Sequence, residues 1–502
     1  MKKHIRSMCC VLLMLSVLAM MAGCSQPDTP DATPEQTHNR GTNPIIHHLT
    51  ITDPTFDLSS LDTYTGLEII EFQGYSDYEG ILNCIAKYPN IEIRYDVAVG
   101  DQRIPHNAQS LEIDANSCDY DQLLQNLKYL PDVAALFLPE TSLTATQMEE
   151  LRQVYPNIQL THSLRLGDTV YTDDAVEADV SWLLPEQIPG FLDQITLLPG
   201  IETLNLMSAE GVSNLSLTDV KLLQDALPQV FFQYSFDLFG KIVSTSDEVI
   251  EYDEVPIGNE GEERIRQALD ILTGCTYFKL DDCGLSNEVM ASIREDYPNV
   301  KVVWRVRIEP FSMLTDETML RLTFHMNDGN VEDLKYLNDV TYLDMGHNDT
   351  LTDISFIQYM PKLQCVILSG APITDISYFA ECKDLVWLEL CFCSRVEDLS
   401  PLSELTNLKY LNVSHSMVSD LSPLKNVPLE RLNCMNSRLT WETEDAFVKS
   451  HPDCLSVFKG KQPYGYGWRY NDYGYTFFEY YANMRIVFRY DDSTYYGNHK
   501  EK

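Results

Sequence analysis

The chain has 502 residues, 44% of them hydrophobic, a globular composition in a chain too long for one compact core. Its formal net charge is −39, from 75 acidic against 36 basic side chains. That balance excludes nucleic acid as a partner, because gripping phosphates needs clustered Lys and Arg; an acidic surface instead keeps an exposed protein soluble.

Lys2, Lys3 and Arg6 give a basic start, and residues 8–22 form an apolar run too short for a membrane span. The run ends Met21-Ala22-Gly23-Cys24. Small residues directly before a Cys resemble the bacterial lipoprotein signal, which implies cleavage before Cys24 and a diacylglycerol on its thiol. Residues 1–23 are therefore expected to be a signal peptide, and 24–48 a lipidated Cys with a disordered Ser/Pro/Asp/Thr-rich tether. The rest is expected outside the cell, anchored to the outer face of the cytoplasmic membrane. Ten Cys follow Cys24, with no CxxC and no His at zinc spacing. Most read as small apolar filler; a Cys275–Cys283 disulfide stays open.

Residues 49–325 carry long, weak coils. Strand cores recur at Leu67-Ile70-Phe72, Val133-Leu136-Leu138, Ile201-Leu204-Leu206 and Cys275-Phe278-Leu280. Helical stretches follow, one capped by Thr144 or Thr146 and another by Ser286. Each helix is expected to stop at a Pro turn, at Tyr88-Pro89, Tyr155-Pro156, Leu227-Pro228 or Tyr297-Pro298. The alternating runs 162–181 and 233–252 predict β-hairpin-like inserts turning at Gly167 and Gly240. A super-repeat of 65–75 residues results.

Residues 326–440 hold five copies of a 22- or 23-residue unit, starting at 331, 354, 376, 399 and 421. A fixed period of this size means a solenoid, because one coil cannot bury its apolar face alone. Leu408-Leu411-Val413 exemplifies the L-x-x-L-x-L strand, and the D-[IL]-S tripeptides at Asp353, Asp375, Asp398 and Asp420 are polar turns between coils. These motifs resemble the leucine-rich repeats of internalins. With the lipobox, the chain resembles the leucine-rich repeat lipoproteins of Gram-positive gut bacteria. The resemblance implies an α/β leucine-rich repeat solenoid: a parallel β-sheet on the concave face, helices and short turns on the convex face. The family's backbone-tying Asn survives only as Asn348; Ala371, Cys393, Ser416 and Ser437 stand at its equivalents. Cys is a known stand-in and Ala is not, so that ladder is expected to be incomplete.

Residues 441–502 begin with a helix and the His451-Pro452 turn, followed by a stretch with ten Tyr between 464 and 496. One reading is a cap over the open edge of the last coil. Another is an aromatic platform for sugar, using Tyr466, Trp468 and Tyr470.

No catalytic motif is present: no GxSxG, HExxH, Walker A or GxGxxG. Met326–Asp333 has calcium-loop composition with the wrong spacing. The chain is therefore expected to be a binding protein, without enzyme activity, cofactor or metal. Strand alternation sends the leucines inward and their neighbours to the concave face. That yields the columns Tyr342, Cys365, Trp387, Tyr410, Arg431 and Asp344, Ile367, Glu389, Asn412, Asn433. The expected partner-binding set is Tyr342, Asp344, Trp387, Glu389, Tyr410 and Asn412, with Phe392 and His415 near the rim. The partner is expected to be a protein met by a monomer. Glycan binding through the C-terminus and a purely structural spacer are the alternatives.

Overall fold

The computed structural model describes residues 45–471, 476–495 and 497. The signal sequence, Cys24 and nearly all of the tether lie outside the described residues. Chain contacts divide them into two compact units: residues 45–108 with 126–132, and 109–125 with 133 onward.

The first unit sets the pattern of the long coils. Strands His48–Ile51, Ile69–Phe72 and Glu92–Val99 pair in parallel, and Gln102–Pro105 returns antiparallel. The helix Tyr78–Lys87 lies between the second and third strands. It stops at Tyr88, because a residue before Pro is steered out of helical backbone. The Tyr88 hydroxyl then donates to Asp62 at 2.6 Å, tying this turn to the preceding one.

The second unit repeats the pattern. Ser110–Glu112, Ala135–Leu138 and Gln159–Leu166 are parallel, closed by antiparallel Thr169–Thr172. Val249–Asp253, Tyr277–Asp281 and Lys301–Ile308 follow suit, closed by Phe311–Leu314. In the intervening copy the three parallel strands are Glu177–Asp179, Thr203–Asn205 and Phe231–Gln233, and the hairpin is Ser235–Leu238 with Lys241–Ser244. The helix Ala145–Val154 is capped by Thr144, whose hydroxyl accepts from Gln147 N while Gln147 returns a bond to Thr144 N. Ser286 caps Asn287–Asp296. Such caps satisfy amides that no helical carbonyl can reach, each worth ~1 kcal/mol.

The parallel sheet does not run unbroken through the long coils, because every third strand turns back on itself and ends the ladder. Gly167 and Gly240 make two of these turns at positive φ, as expected. The tails of the two alternating runs, however, are the parallel opening strands Glu177–Asp179 and Val249–Asp253 of the next sheet.

From Met319 the sheet is uninterrupted. Seven parallel strands lie side by side: Met319–Arg321, Tyr342–Asp344, Cys365–Ile367, Trp387–Glu389, Tyr410–Asn412, Arg431–Asn433 and Leu455–Val457. Leu343, Val366, Leu388, Leu411 and Leu432 fill the coil interior, all without solvent exposure. In each D-[IL]-S turn the Asp carboxylate accepts the Ser backbone N–H at 2.8 Å, opening a 3-10 turn on the opposite side of the coil. The incomplete Asn ladder takes a definite form. Buried Asn348 donates to Leu322 O and Met345 O and accepts from Met326 N. Cys393 makes the equivalent reach to Leu368 O at 3.2 Å, and Ala371 has only its backbone to offer. The ten described cysteines are all free thiols, so Cys275 and Cys283 form no disulfide.

Candidate binding face of the C-terminal sheet

Alternation along each strand turns the expected columns away from the coil interior. The register sets Trp387 against Tyr410 and Glu389 against Asn412, with the two rings 5.5 Å apart. The corresponding face of the Val249–Leu314 sheet carries a charge ladder instead. Lys279 there meets Asp253 at 3.0 Å, and Arg305 grips Asp281 through two bonds of 2.6 and 2.7 Å. The two faces thus differ in what crosses them: charge pairs on the Val249–Leu314 face, stacked rings on the C-terminal one.

That face does not look onto solvent. Residues 463–471 and 476–490 of the Tyr-rich segment lie across it. Trp387, Glu389 and Asn412 are wholly buried, Tyr410 and Asp344 nearly so, and Tyr342 half-buried. Trp468 sits on Trp387 with ring centres 4.2 Å apart, and Tyr480 stacks on its ring at 5.8 Å and 10°. Phe478 meets Tyr410 edge-on, and Phe488 meets Tyr342 likewise. The helix Glu479–Val487 contributes Tyr481 and Met484 to the same cluster.

Polar groups fix the register of this lid. The Trp468 indole donates to Glu389 Oε2 at 2.6 Å, Ser369 donates to Oε1 at 3.0 Å, and Arg469 forms an ion pair with the same carboxylate. Burial works against the Arg469 charge, but Glu389 more than compensates and holds the guanidinium above its usual range. Tyr490 donates to Asp344 Oδ2 at 2.6 Å; burial pushes both groups up. Asn412 and Asn433 both donate to the Pro463 carbonyl, at 3.2 and 2.8 Å. Arg431 donates to the Trp468 carbonyl at 3.1 Å and to Asn471 at 2.6 Å, and lies 3.7 Å over the Phe478 ring.

Several expectations change accordingly. Tyr342, Asp344, Trp387, Glu389, Tyr410 and Asn412 do come together, but beneath the chain's own C-terminus rather than open to a partner. Phe392 and His415 stay at the rim, stacked 4.2 Å apart, with Phe392 43% exposed. Trp468 is fully buried and offers sugar no platform. Tyr470 stacks on Phe477, leaving Tyr466, 39% exposed, as the accessible member of that trio. Trp468, Phe477, Phe478, Tyr480, Tyr481, Phe488 and Tyr490 pack on the strand face. Sequence reasoning gave no role to Arg469, Tyr490 or the Pro463 carbonyl. The available signal was complementarity: an aromatic column in the repeats and an aromatic tail after them.

Asp328, in the calcium-like stretch, spends its carboxylate on Thr352 N and Asp353 N at 2.7 and 2.8 Å, closing the next turn. Among the described residues no group of three His, Cys, Asp or Glu is placed to hold a metal, and no helix is long and apolar enough to cross a membrane.

No family model matches the sequence. A probable disease resistance protein of Arabidopsis thaliana is 32% identical over 117 residues, which is 22% of this chain and 12% of that protein's length. An internalin from Listeria monocytogenes aligns over 77% of this chain and 90% of its own, at 17% identity and a TM-score of 0.25. A leucine-rich repeat protein of Leptospira interrogans aligns over 70% and 96%, at 15% identity and a TM-score of 0.25. At such scores the leucine-rich repeat assignment rests on this chain's own period, register and coil interior.

Proposed function

We propose that the chain is a lipid-anchored, extracytoplasmic scaffold that binds a protein partner through the concave strand face of its C-terminal leucine-rich coils. Residues 463–471 and 476–490 act as a resident ligand of that face. The supporting observation is the way the face holds an irregular segment. Buried side chains of Asn412, Asn433 and Arg431 donate to main-chain carbonyls of Pro463 and Trp468, while aromatic columns hold its rings. Main-chain bonds with aromatic pockets between them are how an extended peptide is recognised. A partner segment of similar chemistry would compete for the same donors. Affinity then comes from a preorganised surface, with no covalent step.

The test uses residues 25–502 against cell-wall fractions, secreted proteins and mucosal extract. Three forms are compared: the native chain, Trp468→Ala, which loosens the resident segment, and Trp387→Ala/Tyr410→Ala, which strips the face. Capture should rise in the first variant and vanish in the second. Equal capture by all three would refute the reading, and competition by soluble sugar would move function to glycan. Anchoring is tested separately by fatty-acid incorporation, which should be lost in Cys24→Ala.

A further inference from the structure

One residue per coil, just past each strand, takes left-handed backbone: Phe324 (φ 76°), His347 (63°), Gly370 (88°), Phe392 (60°), His415 (58°) and Asn436 (57°). Glycine adopts this conformation without steric cost, Asn and His tolerate it, and a bulky ring there is an outlier worth explaining. The chain nevertheless places Phe there twice. Backbone bonds keep the column in step: His347 N to Ser369 O at 2.7 Å, Gly370 N to Cys391 O at 2.8 Å, Phe392 N to Ser414 O at 2.9 Å and His415 N to Met435 O at 2.8 Å. The side chains stack along it. Phe324 lies on His347 at 4.9 Å and 6°, and Phe392 on His415 at 4.2 Å and 24°.

Between these two stacks stands Gly370. Hydrogen-bonded strands step by about 4.8 Å, so the His347 and Phe392 positions are roughly 10 Å apart, with one ring missing between them. A Cβ at Gly370 would touch only His347 backbone, at 3.9 and 4.0 Å, so no side chain fills the gap at its floor. Tyr464, 6.2 Å from Phe392 and tilted 49° to it, borders the gap on the strand-face side. On the outer side His347 and Phe392 are both exposed.

We infer that the gap at Gly370 is a binding slot for one aromatic side chain of a partner protein, stacked between His347 and Phe392. An inserted ring would sit about 4.8 Å from each neighbour, matching the 4.9 and 4.2 Å already present in the column and the usual spacing of offset stacks. The slot lies at the rim, and its two stacking rings, His347 and Phe392, belong to the coils and not to the covering segment.

The test titrates residues 25–502 with N-acetyl-tryptophanamide, following the His347 ring resonance by NMR. That resonance is assigned by its absence in His347→Asn. A saturable ring-current shift is expected, with no such response to N-acetyl-leucinamide or methyl glucoside. Gly370→His should fill the slot and weaken binding by at least about tenfold. Gly370 (φ 88°) lies further into positive φ than His347 (63°) and His415 (58°), so the variant bears some backbone strain, and a cooperative melting transition would verify the fold. No saturable shift up to the solubility limit would overturn the assignment. So would an equal response to leucinamide or the glucoside, or full binding by a folded Gly370→His.

Discussion

Trp468→Ala tests directly whether the C-terminal segment is held by the strand face. Trp468 is wholly buried on Trp387, and its indole N–H ends on a carboxylate that is itself wholly buried. Emptying a site filled by Trp costs roughly 3–5 kcal/mol. Within that sum, a hydrogen bond to a charged acceptor is worth about 1.5–3 kcal/mol. Opening of the segment should therefore become more frequent by about two to three and a half powers of ten. Hydrogen exchange resolved by peptide is the assay. Amides of the helix Glu479–Val487 should lose protection, while the strands Tyr342–Asp344 through Arg431–Asn433 keep theirs, because the coil interior lies on the other side of the sheet. Trp468→Phe keeps most of the ring and loses the N–H, so its effect should fall in the hydrogen-bond range. Equal loss of protection in segment and strands would refute the reasoning, as would no loss in the segment.

Asp344 is held above the usual carboxylate range, chiefly by burial. Its stabilising contribution is therefore full below the unfolded value near 4 and is lost as pH rises through the higher folded value. Asp344→Asn should remove that dependence and tighten the segment at neutral pH, since Asn412 and Asn433 already hold the equivalent turn bond; exchange protection near Tyr490 against pH is the readout. Asp375 and Asp420 have the opposite sign, their carboxylates lowered by bonds to Ser377 and Ser422. Their contribution should be present above about pH 4 and fade below it, and each Asp→Ala should cost ~1 kcal/mol or less in a neutral-pH denaturant melt. Cys393→Ala should cost about 0.5–1.5 kcal/mol in the same melt, because it removes the thiol bond to the buried Leu368 carbonyl but leaves that oxygen the Ala371 N–H.

The coils were legible because their interior is periodic. One aliphatic residue per strand at a fixed step, the Asp that opens each D-[IL]-S turn, and the hydroxyls of Thr144 and Ser286 before their helices are local signals, and their geometry follows. The opening strands of the long coils were not legible. Glu177–Asp179 is three residues long and sits inside an alternating run that a hairpin explains equally well. The columns of the strand face were legible as positions, since alternation places Trp387 beside Tyr410. Their burial was not, because the bonds responsible span 79 residues for Glu389 and Trp468 and 146 for Asp344 and Tyr490. No period connects such partners. Arg469 could not be distinguished from any other tail cation until Glu389 was known to be fully enclosed.

The placement of the covering segment has a consequence in time. A chain is made from its N-terminus, so Trp387, Ile367 and Cys365 exist before anything that covers them. With 79 residues between Glu389 and Trp468 and synthesis at roughly 5–20 residues per second, the face stays bare for about 4–16 s in every molecule made. A chain interrupted near residue 460 would never leave that interval. It would carry a complete coil interior beside a permanently open row of aromatic, aliphatic and thiol side chains, the kind of surface on which copies of one chain adhere to each other.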